Sequence, residues 1–158
     1  MRVSRGKNPS DFLLPDENAR IVEAIEAAEK LTSGEIRVHI EKKCPGGDPY
    51  YRGRDIFEDL GMTETALRNG VLIYLSISDR RVAVLGDRGI HEKVEDGFWD
   101  GIVADLVLKF RQGEFAQALS DAILEIGNRL ATHFPYAGEG KDLNELPNEI
   151  SLGDDAED

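Results

Sequence analysis

The segment Asn69-Gly-Val-Leu-Ile-Tyr-Leu-Ser-Ile77 contains a continuous apolar run that begins directly after an Asn-Gly turn signal. Such a run is typical of a β-strand that is buried on both faces. The polar residues Ser78-Asp-Arg-Arg81 follow it, and Val82 to Leu85 is a second apolar run. This spacing predicts a hairpin in which the second run returns antiparallel to the first. Because the first strand is apolar throughout, we expect helices on both faces of the sheet.

A third strand and four helices are predicted around this hairpin. In Glu35-Ile-Arg-Val-His-Ile-Glu41 the apolar side chains occupy every second position, which predicts a strand with one buried face. Helical spacing of apolar residues predicts helices at about residues 15–31, 50–60, 99–110 and 115–130. A strand, a helix and a strand in succession favour a parallel pair with a right-handed crossover. We therefore predict a three-layer α/β/α sandwich on a small mixed sheet.

The length and composition suit one globular domain. The chain has 158 residues, of which 41% are hydrophobic and 32% are charged. We divide it into a flexible lead-in at residues 1–14, an α/β domain at residues 15–135 and an acidic C-terminal tail at residues 136–158. The tail contains eight acids and one base, a composition typical of an extended or disordered segment.

Charge and cysteine content limit the expected location and partners. The chain has no apolar run of about 18 residues, so we expect no membrane span. The N-terminus lacks the apolar region of a signal peptide, and Cys44 is the only cysteine, so we expect a cytoplasmic protein. A formal net charge of -12 argues against nucleic-acid binding and favours divalent cations, although it also serves solubility.

Polar residues are predicted to converge at one end of the sheet. If the first two strands are parallel and the third returns, Glu35, Asn69 and Asp87 reach the same end, and Glu92 and Asp96 follow closely in the chain. Carboxylate, amide and backbone oxygens are the ligands that Ca²⁺ and Mg²⁺ prefer. The sequence therefore predicts a divalent-cation site here. The alternative is that these are solvated acids at the ends of elements, with Asp96 as a helix N-cap.

Other candidate residues carry weaker signals. Arg88 flanks the same strand end and is a candidate phosphate contact, although such residues more often form surface ion pairs. His91 is the best histidine candidate for acid–base chemistry, whereas His39 alternates with apolar residues and is predicted to be a packed or surface side chain. Asp79 reads as a turn residue. The chain contains no phosphate-loop, serine-hydrolase or zinc-protease motif.

Four segments resemble the TPM domain family in their order and spacing. They are Thr32-Ser-Gly-Glu-Ile-Arg-Val38, Asn69-Gly-Val-Leu-Ile73, Asp79-Arg-Arg-Val82 and Phe110-Arg-Gln-Gly-Glu-Phe115. The resemblance covers roughly residues 15–133, and the end of the chain is similar to a short, cytoplasmic bacterial branch. It implies an α/β/α sandwich, divalent-cation binding and, for some members, acid-phosphatase or nucleotide-phosphohydrolase activity. Other members help to maintain membrane complexes.

The chain both matches this family and departs from it. The matching positions are Glu35, Asn69, Gly70, Asp79, Gly86 and Gly89. Many relatives carry an acid directly before the Asn-Gly pair, where this chain has Arg68, and Asp87 lengthens the glycine turn by one residue. We expect Asp87 to replace the missing acid.

Two function hypotheses follow. The leading one is a domain that binds Ca²⁺ or Mg²⁺ and hydrolyses a phosphate ester or nucleotide. Glu35, Asn69 and Asp87 would be metal ligands. Either Glu92 or Asp96 would be a ligand or a base, and Arg88 would contact phosphate. The alternative is a non-catalytic interaction or complex-maintenance module. There the acidic tail, with apolar residues between Leu143 and Leu152, would dock on a protein partner or on the domain itself.

Overall fold

The computed structural model of the chain describes residues 5–138 and 145–154. Within these residues the chain forms six helices and four strands: α1 Pro9–Phe12, α2 Pro15–Glu29, β1 Glu35–Glu41, α3 Pro49–Asp59, β2 Gly70–Ser76, β3 Arg81–Gly86, α4 Arg88–His91, α5 Asp100–Arg111, α6 Phe115–His133 and β4 Ser151–Leu152. The strands form one sheet in the order β3-β2-β1-β4. β1 is parallel to β2 and β4, and β2 is antiparallel to β3. The predicted mixed sheet and α/β sandwich are confirmed.

Local sequence signals explain where the main helices begin and end. Pro15 stands at the first helical position of α2, where its missing N–H costs nothing. The Asp48 carboxylate caps α3 by accepting hydrogen bonds from the backbone N–H groups of Tyr50 and Tyr51. Gly61 follows α3 with a φ of 68°, a conformation that glycine adopts without a steric penalty.

The larger core lies between the sheet and helices α2, α5 and α6. Every second side chain of the two central strands points into it: Ile36, Val38 and Ile40 from β1, and Val71, Ile73 and Leu75 from β2. All six are buried. Burial of an aliphatic side chain of this size contributes about 1.5–3 kcal/mol. The alternation seen in the sequence therefore fixes which face of β1 meets the helices.

A smaller core lies on the opposite face of the sheet, under α3. It contains Leu72 and Tyr74 of β2, Ile56 and Phe57 of α3, and Leu146 from beyond the last helix. With this second layer of side chains, β2 is buried along its whole length, as its continuous apolar run predicted.

β1 differs from its prediction. The expectation of a half-buried strand is wrong, since all seven residues from Glu35 to Glu41 are buried. The reason is that α3 and residues 145–153 cover the face that carries the polar side chains. Alternation of polar and apolar residues identified the two faces correctly, but it does not reveal a cover that includes chain more than 100 residues away.

Both ends of the described chain lie against the domain. In the region predicted as a lead-in, α1 buries Phe12, whose ring packs edge-on against Phe115 at a centroid distance of 4.9 Å. The Arg5 Nη2 donates to Glu17 Oε2 at 2.8 Å. In the region predicted as an acidic tail, residues 151–152 add β4 to the sheet. Residues 1–4, 139–144 and 155–158 of these two regions lie outside the described residues.

None of the helices in residues 5–138 and 145–154 has the length and apolar character that crossing a bilayer requires.

Candidate functional site

One end of the sheet carries the residues that the topology placed together. Glu35 pairs with Gly70 across β1 and β2, and Val71 pairs with Gly86 across β2 and β3. The backbone joins these positions directly, because the Glu35 N–H donates to the Asn69 carbonyl at 3.3 Å and the Asp87 N–H donates to the Gly70 carbonyl at 2.9 Å. We call this end of the sheet, with Glu35, Asn69 and Asp87, the rim.

Within the rim, the Asp87 carboxylate is held by Arg68. The Arg68 Nε and Nη2 donate to its two oxygens at 2.7 and 2.9 Å. The Arg88 backbone N–H donates to Oδ1 at 2.7 Å, so that Asp87 also caps α4. The carboxylate therefore already accepts three hydrogen bonds, one pair from a cation that balances its charge. This ion pair joins the two positions at which the sequence departs from the family pattern, Arg68 and Asp87.

The turn beside this ion pair depends on a glycine. A Cβ placed on Gly89 would meet the Leu67 carbonyl oxygen at 2.2 Å and the Arg68 carbonyl oxygen at 2.7 Å. The Gly89 N–H donates to that same Arg68 carbonyl at 2.9 Å. Glycine at this position lets α4 approach the segment before β2, and so brings Asp87 within reach of Arg68.

Asn69 and Glu35 have different surroundings from Asp87. Asn69 is 1% exposed, its amide nitrogen lies 3.5 Å from Ser33 Oγ, and its side-chain oxygen has no hydrogen-bond partner among the described residues. Glu35 is 2% exposed and accepts the Glu145 N–H at 2.6 Å. Asn69 lines a cleft of about 380 Å³ with Ser33, Lys93, His133 and Glu145. An oxygen buried without a donor is costly, and a cation or ordered water would satisfy it.

Glu35 and Asp87 do not line this cleft, and Glu35 lines a neighbouring cavity of about 300 Å³ with Glu26, Glu29 and Lys30. Glu92 and Asp96 are exposed, and Arg88 approaches Glu92 at 3.9 Å with both side chains more than two-thirds exposed. His91 is also exposed. Among the residues that the structure describes, no cluster of three or more His, Cys, Asp or Glu side chains could hold a metal ion.

The opposite end of β1 contains a buried ionic network that the sequence did not reveal. The Arg52 Nε and Nη2 donate to the Glu41 carboxylate at 2.8 and 2.9 Å, and the Tyr74 hydroxyl donates to it as well. Burial raises the pKa of the Glu41 carboxyl, but the hydrogen bonds from Arg52 and Tyr74 outweigh it, so that the pKa is lowered overall. Burial and the hydrogen bond to Glu41 both raise the pKa of Tyr74.

His39 belongs to the same network. It is 4% exposed, its Nδ1 lies 2.8 Å from Ser151 Oγ, and its Nε2 lies 3.5 Å from Glu41 Oε2. Burial lowers its pKa against the opposing effect of Glu41. The sequence left open whether His39 is a packed or a surface side chain, and its burial shows that it is packed. The strand pattern places His39 and Glu41 on one face, but it does not show that other parts of the chain cover that face.

Two loops meet beside this network. The Asp79 Oδ2 accepts the Cys44 N–H at 2.6 Å, which ties the β2–β3 turn to the loop after β1. A cavity of about 400 Å³ lies next to it, lined by His39, Glu41, Lys42, Lys43, Arg52 and Gly153 among others. Asp79 is thus a turn residue, as predicted, and it also fixes the segment that carries the two lysines.

Comparison with known proteins gives the family. Residues 7–129 match the TPM domain. The chain is 46% identical to BA42 protein from the psychrophilic bacterium Bizionia argentinensis sp. nov., with a TM-score of 0.82 over 90% of this chain and 96% of that one. The N-terminal domain of a P. gingivalis protein shares the fold at 20% identity, with a TM-score of 0.63 over 80% of this chain and 82% of that one. No curated protein matches the chain. Since the family match covers most of its length, this protein belongs to the TPM domain family.

Proposed function

We propose that this TPM domain binds a divalent cation, Ca²⁺ or Mg²⁺, at the rim through Glu35 and Asn69. The observation that supports this most directly is the side-chain oxygen of Asn69, which is buried and has no partner among the described residues. Glu35 is buried and pairs across the sheet with Gly70, the residue that follows Asn69. A carboxylate and an amide oxygen are ligands for hard cations, and water can complete the coordination of either ion.

The other predicted ligands have different roles in this proposal. Asp87 would join the cation only after releasing Arg68, so we place it outside the immediate coordination of the ion. Glu92 and Asp96 are exposed acids in the segment that follows β3. Together with a formal net charge of -12, they raise the local concentration of cations without contacting the ion.

The catalytic part of the proposal is the hydrolysis of a phosphate ester or nucleotide. A bound cation would neutralise phosphate charge and lower the pKa of a bound water. Arg88 is exposed, and its guanidinium contacts Glu92 at a long 3.9 Å, so within the described part of the chain it is accessible to a phosphate group. Arg68 cannot take that role while it is paired with Asp87. A cytoplasmic location remains part of the same proposal.

The interaction module is the second candidate function. Its proposed docking segment includes Leu146, which is buried in the smaller core, and Ser151, which pairs with β1. Binding of a partner through this segment would therefore require its release from the domain. The cation proposal needs no such rearrangement, and for that reason we favour it.

The first test is the replacement of Glu35 by Gln. We expect this variant to bind Ca²⁺ and Mg²⁺ at least about tenfold more weakly, because it removes the only charged ligand in the proposed pair. Calorimetric titration gives the affinity, and amide NMR shifts locate the site. Asp87→Asn should change the affinity less than Glu35→Gln.

The matched control is Glu114→Gln, an exposed acid directly before α6. It removes the same charge at the opposite end of α6 from His133, which lines the cleft, and should leave the affinity within about twofold. Equal losses of affinity in the two variants would mean that the cation is attracted non-specifically, and would contradict the proposal. A chromogenic phosphate ester then tests catalysis, since a rate that does not depend on added cation would contradict the hydrolytic mechanism.

A further inference from the structure

The cavity at the end of β1 opposite to the rim lies between three parts of the chain. His39 and Glu41 come from β1, Arg52 comes from α3, and Gly153 comes from the segment after β4. The seven residues of β1 separate this cavity from the rim by about 20 Å. It is therefore a separate site from the one proposed for the cation.

The charges around this cavity contrast with those of the whole chain. The negative charge of Glu41 is balanced by the two hydrogen bonds from Arg52. Lys42 and Lys43 then face one further acid in the lining, Asp154. In a chain with a formal net charge of -12, this is a local excess of positive charge, which favours an anion over a cation.

His39 provides a buried donor that faces the same space. Its Nδ1 is already bonded to Ser151 Oγ at 2.8 Å. Its Nε2 is buried and has no hydrogen-bond partner among the described residues, with Glu41 Oε2 at a long 3.5 Å. The Glu41 carboxylate at that distance favours a hydrogen on Nε2, and both side chains line the cavity. At 3.5 Å the contact with Glu41 is too long for a well-formed hydrogen bond, and a bound oxyanion would give this N–H a closer acceptor.

The segment after β4 forms one wall of the cavity. The Gly153 N–H donates to the Ile40 carbonyl at 2.8 Å. A Cβ on Gly153 would meet the Glu41 Cβ at 2.7 Å, so that only glycine allows this close approach. The wall is thus built by the chain itself and depends on the docking of residues 151–154.

We propose that this cavity binds a small oxyanion, a phosphate or a carboxylate, through Lys42, Lys43 and the Nε2–H of His39. The docked segment 151–154 is part of the site, so binding and docking favour each other. An occupied cavity would hold β4 more firmly on β1.

The test is an NMR titration of the full chain with inorganic phosphate and, separately, with malonate. Both are compared with sodium chloride at equal ionic strength, and EDTA is present so that no divalent cation contributes. We expect saturable shifts confined to His39, Lys42, Lys43 and Arg52. The double variant Lys42→Gln/Lys43→Gln should bind about tenfold more weakly. Cation binding is measured without EDTA and from shifts at the rim. The failure of one proposal can therefore be distinguished from the failure of the other.

The matched control is Lys7→Gln/Lys30→Gln, which removes two positive charges elsewhere and should change affinity less than about twofold. Gly153→Ala tests the wall and should also weaken binding. Saturation by phosphate alone or malonate alone supports the site and assigns its ligand class. Shifts no larger than those with chloride, or equal losses in the two lysine double variants, would overturn the proposal.

Discussion

Glu35 and Glu41 stand at the two ends of one strand, on the same face, and both are buried. Their neighbours differ. Glu41 accepts two hydrogen bonds from Arg52 and one from Tyr74. Glu35 accepts a backbone N–H from Glu145 and lies next to Asn69, whose side-chain oxygen has no partner among the described residues.

The comparison shows that burial alone does not identify a functional carboxylate. The charge of a buried acid that has its own arginine is balanced within the fold. At the rim, the unsatisfied oxygen belongs to Asn69, and the proposed cation would give that oxygen a partner. The sequence places both acids on one strand face, and only their partners distinguish them.

The largest expected difference between the two ends is in stability, and Arg52→Ala measures it. Removal of the guanidinium leaves the buried Glu41 charge without its cation, which typically costs about 3 kcal/mol. Urea denaturation monitored by circular dichroism gives the free energy of unfolding. Arg54→Ala is the control on the same helix, because Arg54 is exposed and its loss should cost less than about 0.5 kcal/mol. Similar values for the two variants would mean that the Arg52 pair does not stabilise the fold.

A smaller loss is expected from Leu146→Ala, at the rim end. This side chain is buried in the smaller core, and truncation of a buried leucine costs about 2 kcal/mol or more. Its neighbour Glu145 donates the backbone hydrogen bond to Glu35, so the variant should also perturb the amide signals of the rim. Leu152→Ala, at a half-exposed position, should cost much less. If the two truncations had equal effects, the 145–150 segment would not be anchored by Leu146.

The smallest expected effect is a pH dependence that belongs to the Glu41 end. Burial lowers the pKa of His39 from its ordinary value of 6.5. The unfolded chain therefore takes up a proton first, and stability falls as the pH drops below 6.5. The same sign applies to Glu41, but only near and below its ordinary value of 4.5. Unfolding measured from pH 7.5 down to about pH 5 isolates His39. His39→Gln should flatten this curve, and an unchanged slope would assign the dependence to other groups.

Much of the fold could be predicted because its signals are local and periodic. The helical spacing around Ile21 and Ile25, the alternation from Glu35 to Glu41 and the apolar run from Val71 each gave the correct element. Chain direction then followed from the strand–helix–strand order, and it placed Glu35, Asn69 and Asp87 at one end of the sheet.

The rest depended on pairings that have no local signal. Arg68 and Asp87 are 19 residues apart, and neither spacing nor charge indicates that they bind each other. β4 has two residues in an acid-rich region of low apolar density, so no periodicity could reveal it. Without β4 and its flanks, the alternation in β1 predicted only one buried face, and the network of Glu41, Arg52 and His39 was not foreseen.

The pairing of β4 with β1 also has a consequence for how the chain folds. Ser151 and His39 are 112 residues apart, so this contact closes a very long loop, and the entropy cost of that closure must be met before β4 docks. Until then, the outer edge of β1 presents free backbone groups beside a row of charged side chains. An open edge is a template for pairing with other chains, whereas charged side chains on it discourage such pairing. The polar residues of β1 thus disfavour self-association in any state in which β4 is not docked on this edge.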